Sequence, residues 1–511
     1  MVKKPGGALL LALTVDPAEP RPLGTQLLVA LREMILSGSL RAGDRLPASR
    51  TIAQDLGISR TTVVEAFERL AAEGLIVSRV GAGSYVSQAL LGRNPAAARR
   101  TDRRMAMERR PGPLADTVAR RSSLLSERLP HVPRAFTTAL PAFDAFPMAL
   151  WSRYVAKHWR SHRDVVMGYG SAHGFAPLRR TIASHLRASR GIACEPQQVF
   201  VVNGAQHGFQ LIANMFLDSG DCVWFENPGA IGARNCFVAA GARLQPIPID
   251  GEGLDVAEGL RRAPAFRLAF VTPSHQQPLG STMSLARRFA LLAAAEAADA
   301  WIVEDDYDGE FCYRGHPPPT LKSIDASGRV IYVGTFSKTL FPALRLGYVV
   351  APPGLVGAFE RFMDACFPGV PSNPQAVVAD FMDEGHFSSH IRRMRRLYAE
   401  RHDALHEAAN RHLPGLISIA RTDTGLHTVG HLDPAIPETT VAEEAWARGV
   451  TVAPLSRYAI DPIDANGLVL GFSGIRPEDI EKGIKVLAAV LPVCREERSR
   501  HLPVARSRVP R

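Results

Sequence analysis

The chain has 511 residues, 46% of them hydrophobic and 22% charged, with a formal net charge of +10. That length suggests more than one domain, and the composition is that of a globular protein able to bury a large core. No stretch is long and apolar enough to span a bilayer, and the positive excess favours polyanionic partners without bearing on fold.

The opening "MVKKPGGALLLALTV" imitates a secretory signal, with Lys3 and Lys4 before an apolar run. The run ends at Asp16–Pro17 without a small-x-small cleavage site, so it reads as an apolar first strand packed on the first domain. The six cysteines (Cys194, Cys222, Cys236, Cys312, Cys366 and Cys494) are scattered, with no C-x-x-C pair and no zinc spacing. They read as reduced thiols of a cytoplasmic protein with no metal site.

Residues 13–88 read as one compact unit. "QLLVALREMILS" (26–37) has apolar residues at helical spacing. In "LRAGDRLPASR" Pro47 is placed to open the next helix, and "SRTIAQDLG" (49–57) is a short helix closed by Gly57. Ser59 then caps "RTTVVEAFERLAAEG", closed by Gly74. Two helices joined by a tight turn make a helix-turn-helix, whose second helix presents its N-terminus to base edges. Arg60 suits guanine or phosphate there, while Thr61 and Thr62 suit phosphate or a thymine methyl. "LIVSRVGAGSYVS" (75–87) alternates as a hairpin with Gly81-Ala82-Gly83 at its tip, a wing. Arg50, Ser59, Arg60, Thr61, Thr62, Arg79 and Gly81 are the DNA-facing candidates. The stretch "GDRLPASRTIAQDLGISRTTVVEAFERLAAEGLIVSRVGAGSYV" resembles the winged helix-turn-helix of GntR-type bacterial repressors, which implies operator DNA as a partner.

Residues 89–135 include "GRNPAAARRTDRRMAMERRPGPLADTVARR", with paired arginines and no clean period, and read as a basic flexible linker. From 136 to 495, short β-rich runs alternate with helical patterns: "QQVFVVNG" (197–204), "CVWFENP" (222–228), "FRLAFVTP" (266–273), "AWIVEDD" (300–306) and "RVIYVGT" (329–335). The alternation predicts an α/β unit, a mostly parallel sheet covered by helices such as 284–300 on both faces. Residues 496–511 read as a basic disordered tail.

Within this unit the chemistry of pyridoxal 5'-phosphate can be sought part by part. That cofactor needs a lysine, an acid against its pyridine nitrogen and a phosphate cradle. "GTFSKTLFPALRLGY" (334–348) offers Ser337 and Lys338, with Arg345 seven residues beyond the lysine if the loop opens a helix. "VEDDYDGEF" (303–311) ends a predicted strand, where α/β sheets bind ligands. "NGAQHGFQLIANMF" (203–216) is a strand–turn–helix start, where backbone N–H groups favour a phosphate. Taken singly, Lys338 reads as a surface lysine, Asp305 and Asp306 as a solvated loop or a metal pair.

In this order the motifs resemble the fold-type I aminotransferases of the aspartate aminotransferase superfamily. The resemblance implies Lys338 as the Schiff-base lysine and Asp305 against the pyridine nitrogen. It implies Tyr307 and Gln277 near the ring oxygen, and Ser337, Arg345 and the backbone at Gly204, Ala205 and Gln206 around the phosphate. Tyr169 in "GYGSAHG" matches a tyrosine that reaches the neighbouring subunit's phosphate, implying a homodimer. Joined to the first unit, the chain resembles the MocR-type subfamily of GntR regulators. That implies a cytoplasmic, pyridoxal-phosphate-dependent regulator in which the second unit senses an amine, an amino acid or the cofactor itself. Two alternatives stand beside it: a working aminotransferase with a DNA-binding appendage, and a cofactor-free repressor using the unit as a dimerisation scaffold. The chain departs from the pattern at Ala230, where the superfamily stacks an aromatic ring, and in "GLVLGFSG" (467–474), which lacks the carboxylate-binding arginine. Arg457 and Arg234 are the candidates to replace it.

Overall fold

The computed structural model describes residues 13–79, 83–89, 125–127, 132–161, 166–315 and 318–501. The chain divides into two compact units, 1–114 and 115–511.

In the first unit, helices Leu23–Leu36, Ser49–Leu56 and Arg60–Ala72 precede a hairpin of β1 (Ile76–Arg79) and β2 (Gly83–Val86). Leu27, Leu31 and Ile35 of the first helix and Val63, Phe67 and Leu70 of the third recur at helical spacing and share one core with Ile52, Ile76 and Val86. Gly57 takes φ 66° where the second helix ends, a left-handed conformation that glycine adopts without a Cβ penalty. Leu13 is buried in this core, but residues 13–16 pair in no strand, which corrects the expected first strand; residues 1–12 lie outside the described residues.

The second unit holds an eight-stranded sheet. Its strands are β3 (Val199–Val202), β4 (Cys222–Asn227), β5 (Arg243–Asp250), β6 (Gly253–Leu254), β7 (Leu268–Val271), β8 (Trp301–Asp306), β9 (Val330–Thr335) and β10 (Gly347–Val350). They lie in the order β3-β10-β9-β8-β7-β4-β5-β6. Neighbours from β9 through β5 pair in parallel, whereas β10 runs antiparallel to both β3 and β9. The expectation of a mostly parallel sheet therefore holds for its centre and needs correction toward both edges: β6 pairs antiparallel to β5, and β10 enters after a turn of 11 residues, 336–346, too short for a crossover helix, and so returns antiparallel. All five predicted strands are present, each buried on both faces.

The alternating pattern did not reveal a second sheet. It comprises β11 (Ile417–Ile419), β12 (His427–Leu432), β13 (Ala453–Pro454) and β14 (Gly467–Gly471), antiparallel throughout in the order β11-β12-β14-β13. Most of the linker lies outside the described residues, but its described end is held rather than free. Ser126 exchanges hydrogen bonds with Asn235 at 3.0 and 2.7 Å, and Ala135 bridges to Val450. The final helix, Pro477–His501, continues into the expected tail; residues 502–511 lie outside the described residues.

Candidate nucleic-acid interface and cofactor site

At the start of the Arg60–Ala72 helix, Ser59 Oγ accepts from the Thr62 backbone N–H at 3.1 Å, the expected cap. The Ser59 and Thr62 hydroxyls lie 2.8 Å apart, and the Thr62 methyl faces Gly24, where an added Cβ would come within 3.0 Å. Thr62 is thus engaged inside the unit. Arg50, Arg60, Thr61 and Arg79 are exposed, and Arg79 lies over the Tyr85 ring, 5.4 Å from its centroid. Gly81 lies outside the described residues.

In the second unit, strand direction assembles the site. Because β3, β7, β8 and β9 point the same way, the segments that follow them gather at one edge of the sheet. Gly204, Ala205 and Gln206 follow β3, Gln277 follows β7, Tyr307 follows β8, and Ser337 and Lys338 follow β9. Arg345 precedes the antiparallel β10 and reaches the same edge. Together with Asp305 these residues line one cavity of about 300 Å³. The segment after Lys338 opens no α-helix, a correction to the expected spacing; a 3-10 turn, Pro342–Leu344, leads into Arg345 at φ 52°.

Helix Ala205–Phe216 starts at this cavity without a side-chain cap, behind Gly204 at φ 78°. An added Cβ on Gly204 would stand 4.0 Å from the Arg345 guanidinium carbon. A helix N-terminus beside an arginine and the Ser337 hydroxyl is an anion cradle. Asp305 is buried with Oδ1 lacking a hydrogen-bond partner, and burial, together with Asp306, Asp308 and Glu226, pushes its carboxyl well above the usual range. A cationic N–H is the partner such a group requires. Lys338 donates to the Ala139 carbonyl at 2.9 Å, and burial lowers it to about 8 against the pull of Asp308 and Asp305. An amine poised so near neutrality suits a carbonyl ligand. The donors fit pyridoxal phosphate: cradle to phosphate, Asp305 to pyridinium nitrogen, Lys338 to the aldehyde carbon.

Adjacent residues of β8 face opposite ways. Asp305 meets the cavity, whereas Asp306 accepts from the buried Arg190 Nε–H at 2.9 Å and from the Tyr332 hydroxyl at 2.6 Å. The two acids are therefore neither a solvated loop nor a shared pair.

Behind Tyr307, His275 Nδ1 lies 3.0 Å from the tyrosine hydroxyl and 2.9 Å from Asp308. His427 lines the cavity with Nε2 3.2 Å from the Pro278 carbonyl, and burial lowers it to about 3, so it is neutral. Donor atoms of His275, Asp308 and His427 come within 4.8 Å of one another; a hydrogen bond joins His275 to Asp308, while His427 is held by the Pro278 carbonyl. His275 and Asp308 sit inside the motifs "TPSHQQPLG" and "VEDDYDGEF", yet spacing alone assigned them no part; His427 and Thr138, also in the wall, had no local signal.

Three expected features lie apart from this cavity. Tyr169 does not line it and is 99% exposed. Arg234 donates to the Ala459 carbonyl at 2.9 Å and to Ser126, and Arg457 donates to the Glu127 carbonyl, so neither arginine reaches the cavity. Ala230 is buried at the start of helix Ile231–Ala240, and Ile231 and Gly232 supply the cavity wall there. On β14, Val469 lines the cavity.

The bacterial regulatory proteins, gntR family, match residues 23–86, and aminotransferase class I and II matches residues 154–486. The chain therefore belongs to the gntR-family regulators that carry an aminotransferase-like unit, the MocR-type subfamily. It is 40% identical over 93% of its length to the probable rhizopine catabolism regulatory protein MocR of Rhizobium meliloti, 95% of which is covered. It is 32% identical over 92% to the pyridoxine biosynthesis transcriptional regulator PdxR of Corynebacterium glutamicum, 96% of which is covered. Among solved structures, the kynurenine aminotransferase of Pyrococcus horikoshii is similar with a TM-score of 0.66 at 29% identity, covering 75% of this chain and 95% of that one. The chain is an HTH-type transcriptional regulator with a fold-type I aminotransferase domain. No helix among the described residues is long and apolar enough to cross a membrane.

Proposed function

We propose that this regulator acts in the cytoplasm as a homodimer. It binds operator DNA through Arg50, Arg60, Thr61 and the wing, and holds pyridoxal phosphate at Lys338 as the sensing element for an amine, an amino acid or a form of the cofactor. The observation that carries this reading is the single cavity in which Lys338, Asp305 and Arg345 converge, on a chain that also presents an exposed Ser-Arg-Thr helix start. When bound, pyridoxal phosphate supplies a carbonyl for amines and an electron-withdrawing ring. The protein's part is to hold and orient. Arg345, Ser337 and the helix N-terminus grip the phosphate, Asp305 keeps a proton on the ring nitrogen, and Tyr307 donates toward the ring oxygen. Tyr169, exposed on its own subunit, is the residue we assign to the partner's site. An effector changes operator affinity only through its differential affinity for two arrangements of the protein.

The test is to add pyridoxal phosphate to the purified full-length protein, record its visible absorption, and footprint DNA upstream of the coding sequence with and without a panel of amines. A cofactor band together with an amine-dependent footprint supports the reading. Quantitative conversion to the pyridoxamine form, with no effect on the footprint, would establish an aminotransferase instead.

A further inference from the structure

Lys338 stands between two cavities. The one described above shares Ala139, Lys338 and Pro342 with a second of about 420 Å³, lined by Leu140, Phe143, Phe146, Met148 and Phe341. Lys338 is the one polar side chain among the described residues lining that second cavity. Phe143 and Met148 are 45% and 60% exposed, so the apolar chamber is open to solvent and leads inward to the lysine.

The charges of the first cavity are already committed. The cofactor uses Arg345 and Lys338, and the wall contributed by the small sheet consists of Leu426, Val469 and the neutral His427. Arg234 and Arg457 point to other partners. A carboxylate attached beside an amine at Lys338 would find no uncommitted cationic side chain lining the first cavity and only apolar surface in the second. Burial of an ionised group without a counter-charge is strongly unfavourable, while an apolar body gains from burial there.

We infer that the effector is a primary amine with an apolar body and no carboxylate, entering through the Phe143–Met148 chamber. This rests on the cofactor reading above, and the experiment separates the two. The full-length protein, loaded with pyridoxal phosphate and freed of excess, is titrated with matched pairs while its visible absorption is followed. The pairs are phenethylamine with L-phenylalanine and isoamylamine with L-leucine, with ethanolamine as an amine lacking the apolar body. The amines are expected to shift the band at concentrations at least tenfold below those of their amino acids, and ethanolamine to require more than either amine. Equal or better response to the amino acids, response to ethanolamine at phenethylamine's concentrations, or no response to any amine despite a cofactor band would each overturn the inference. Absence of any band after loading would instead overturn the cofactor reading beneath it.

Discussion

His275 Nδ1 lies 2.9 Å from an Asp308 carboxylate oxygen and 3.0 Å from the Tyr307 hydroxyl, with all three side chains buried. The carboxylate orients the ring with its proton on Nδ1, and that N–H reaches the tyrosine oxygen as well. Tyr307 then accepts from His275 and keeps its own proton for donation into the cavity. Gly425, at φ 86°, preserves the arrangement: a Cβ there would come within 2.1 Å of the imidazole.

A phenol that accepts a hydrogen bond is a stronger donor. Donation to the cofactor's ring oxygen favours the deprotonated form of the bound cofactor, so weakening it raises the midpoint of the pH-dependent absorption change. Loss of one hydrogen bond, worth about 1 kcal/mol, corresponds to about 0.7 pH unit. His275→Phe should raise that midpoint by this order, measured by spectrophotometric titration. The charged neighbours Asp305, Asp308 and Lys338 remain in this variant, so an unchanged midpoint would show that His275 only fills space.

Lys338→Ala should abolish the visible band of lysine-bound cofactor while leaving the far-ultraviolet circular dichroism intact. Lys338 makes one hydrogen bond, to Ala139, and anchors no other element by that route. A band that survives the substitution would place the covalent site elsewhere.

Ser59 and Arg60 are adjacent and should separate stability from recognition. Ser59→Ala removes the cap on the Thr62 N–H, costing about 1 kcal/mol, or roughly fivefold faster amide hydrogen exchange in the 60–72 helix. Arg60→Ala should leave exchange unchanged and weaken operator binding by about 1–3 kcal/mol with relaxed sequence preference, as measured by anisotropy. Unaltered affinity would remove Arg60 from the readers.

Arg190→Met leaves Asp306 buried opposite an apolar side chain. The side chains of the pair are 2% and 3% exposed, so breaking it should cost about 3–5 kcal/mol. All five tryptophans lie between Trp151 and Trp446, so their fluorescence during denaturant unfolding of the full-length protein reports this unit alone. A loss below 1 kcal/mol would indicate that water or Tyr332 compensates Asp306.

Local spacing in the sequence was enough for the helix-turn-helix, where caps, glycines and a helical apolar repeat all act within a few residues. It also pointed to Gly204, Gln277, Tyr307, Ser337 and Lys338, which follow strands, because strand ends are local events. The tertiary structure alone decided what depends on register between distant segments. The antiparallel return of β10 brings Arg345 back to the edge that bears Lys338, and no helix is needed to do so. The second sheet sets His427 and Val469 into the cavity from 82 and 124 residues beyond Arg345. Asp305 and Asp306 look alike in sequence, yet the two-residue period of β8 sends one to the cofactor cavity and the other to Arg190. His275 and Asp308 acquire a joint part only because β7 and β8 are neighbours, which places the segments that follow them side by side.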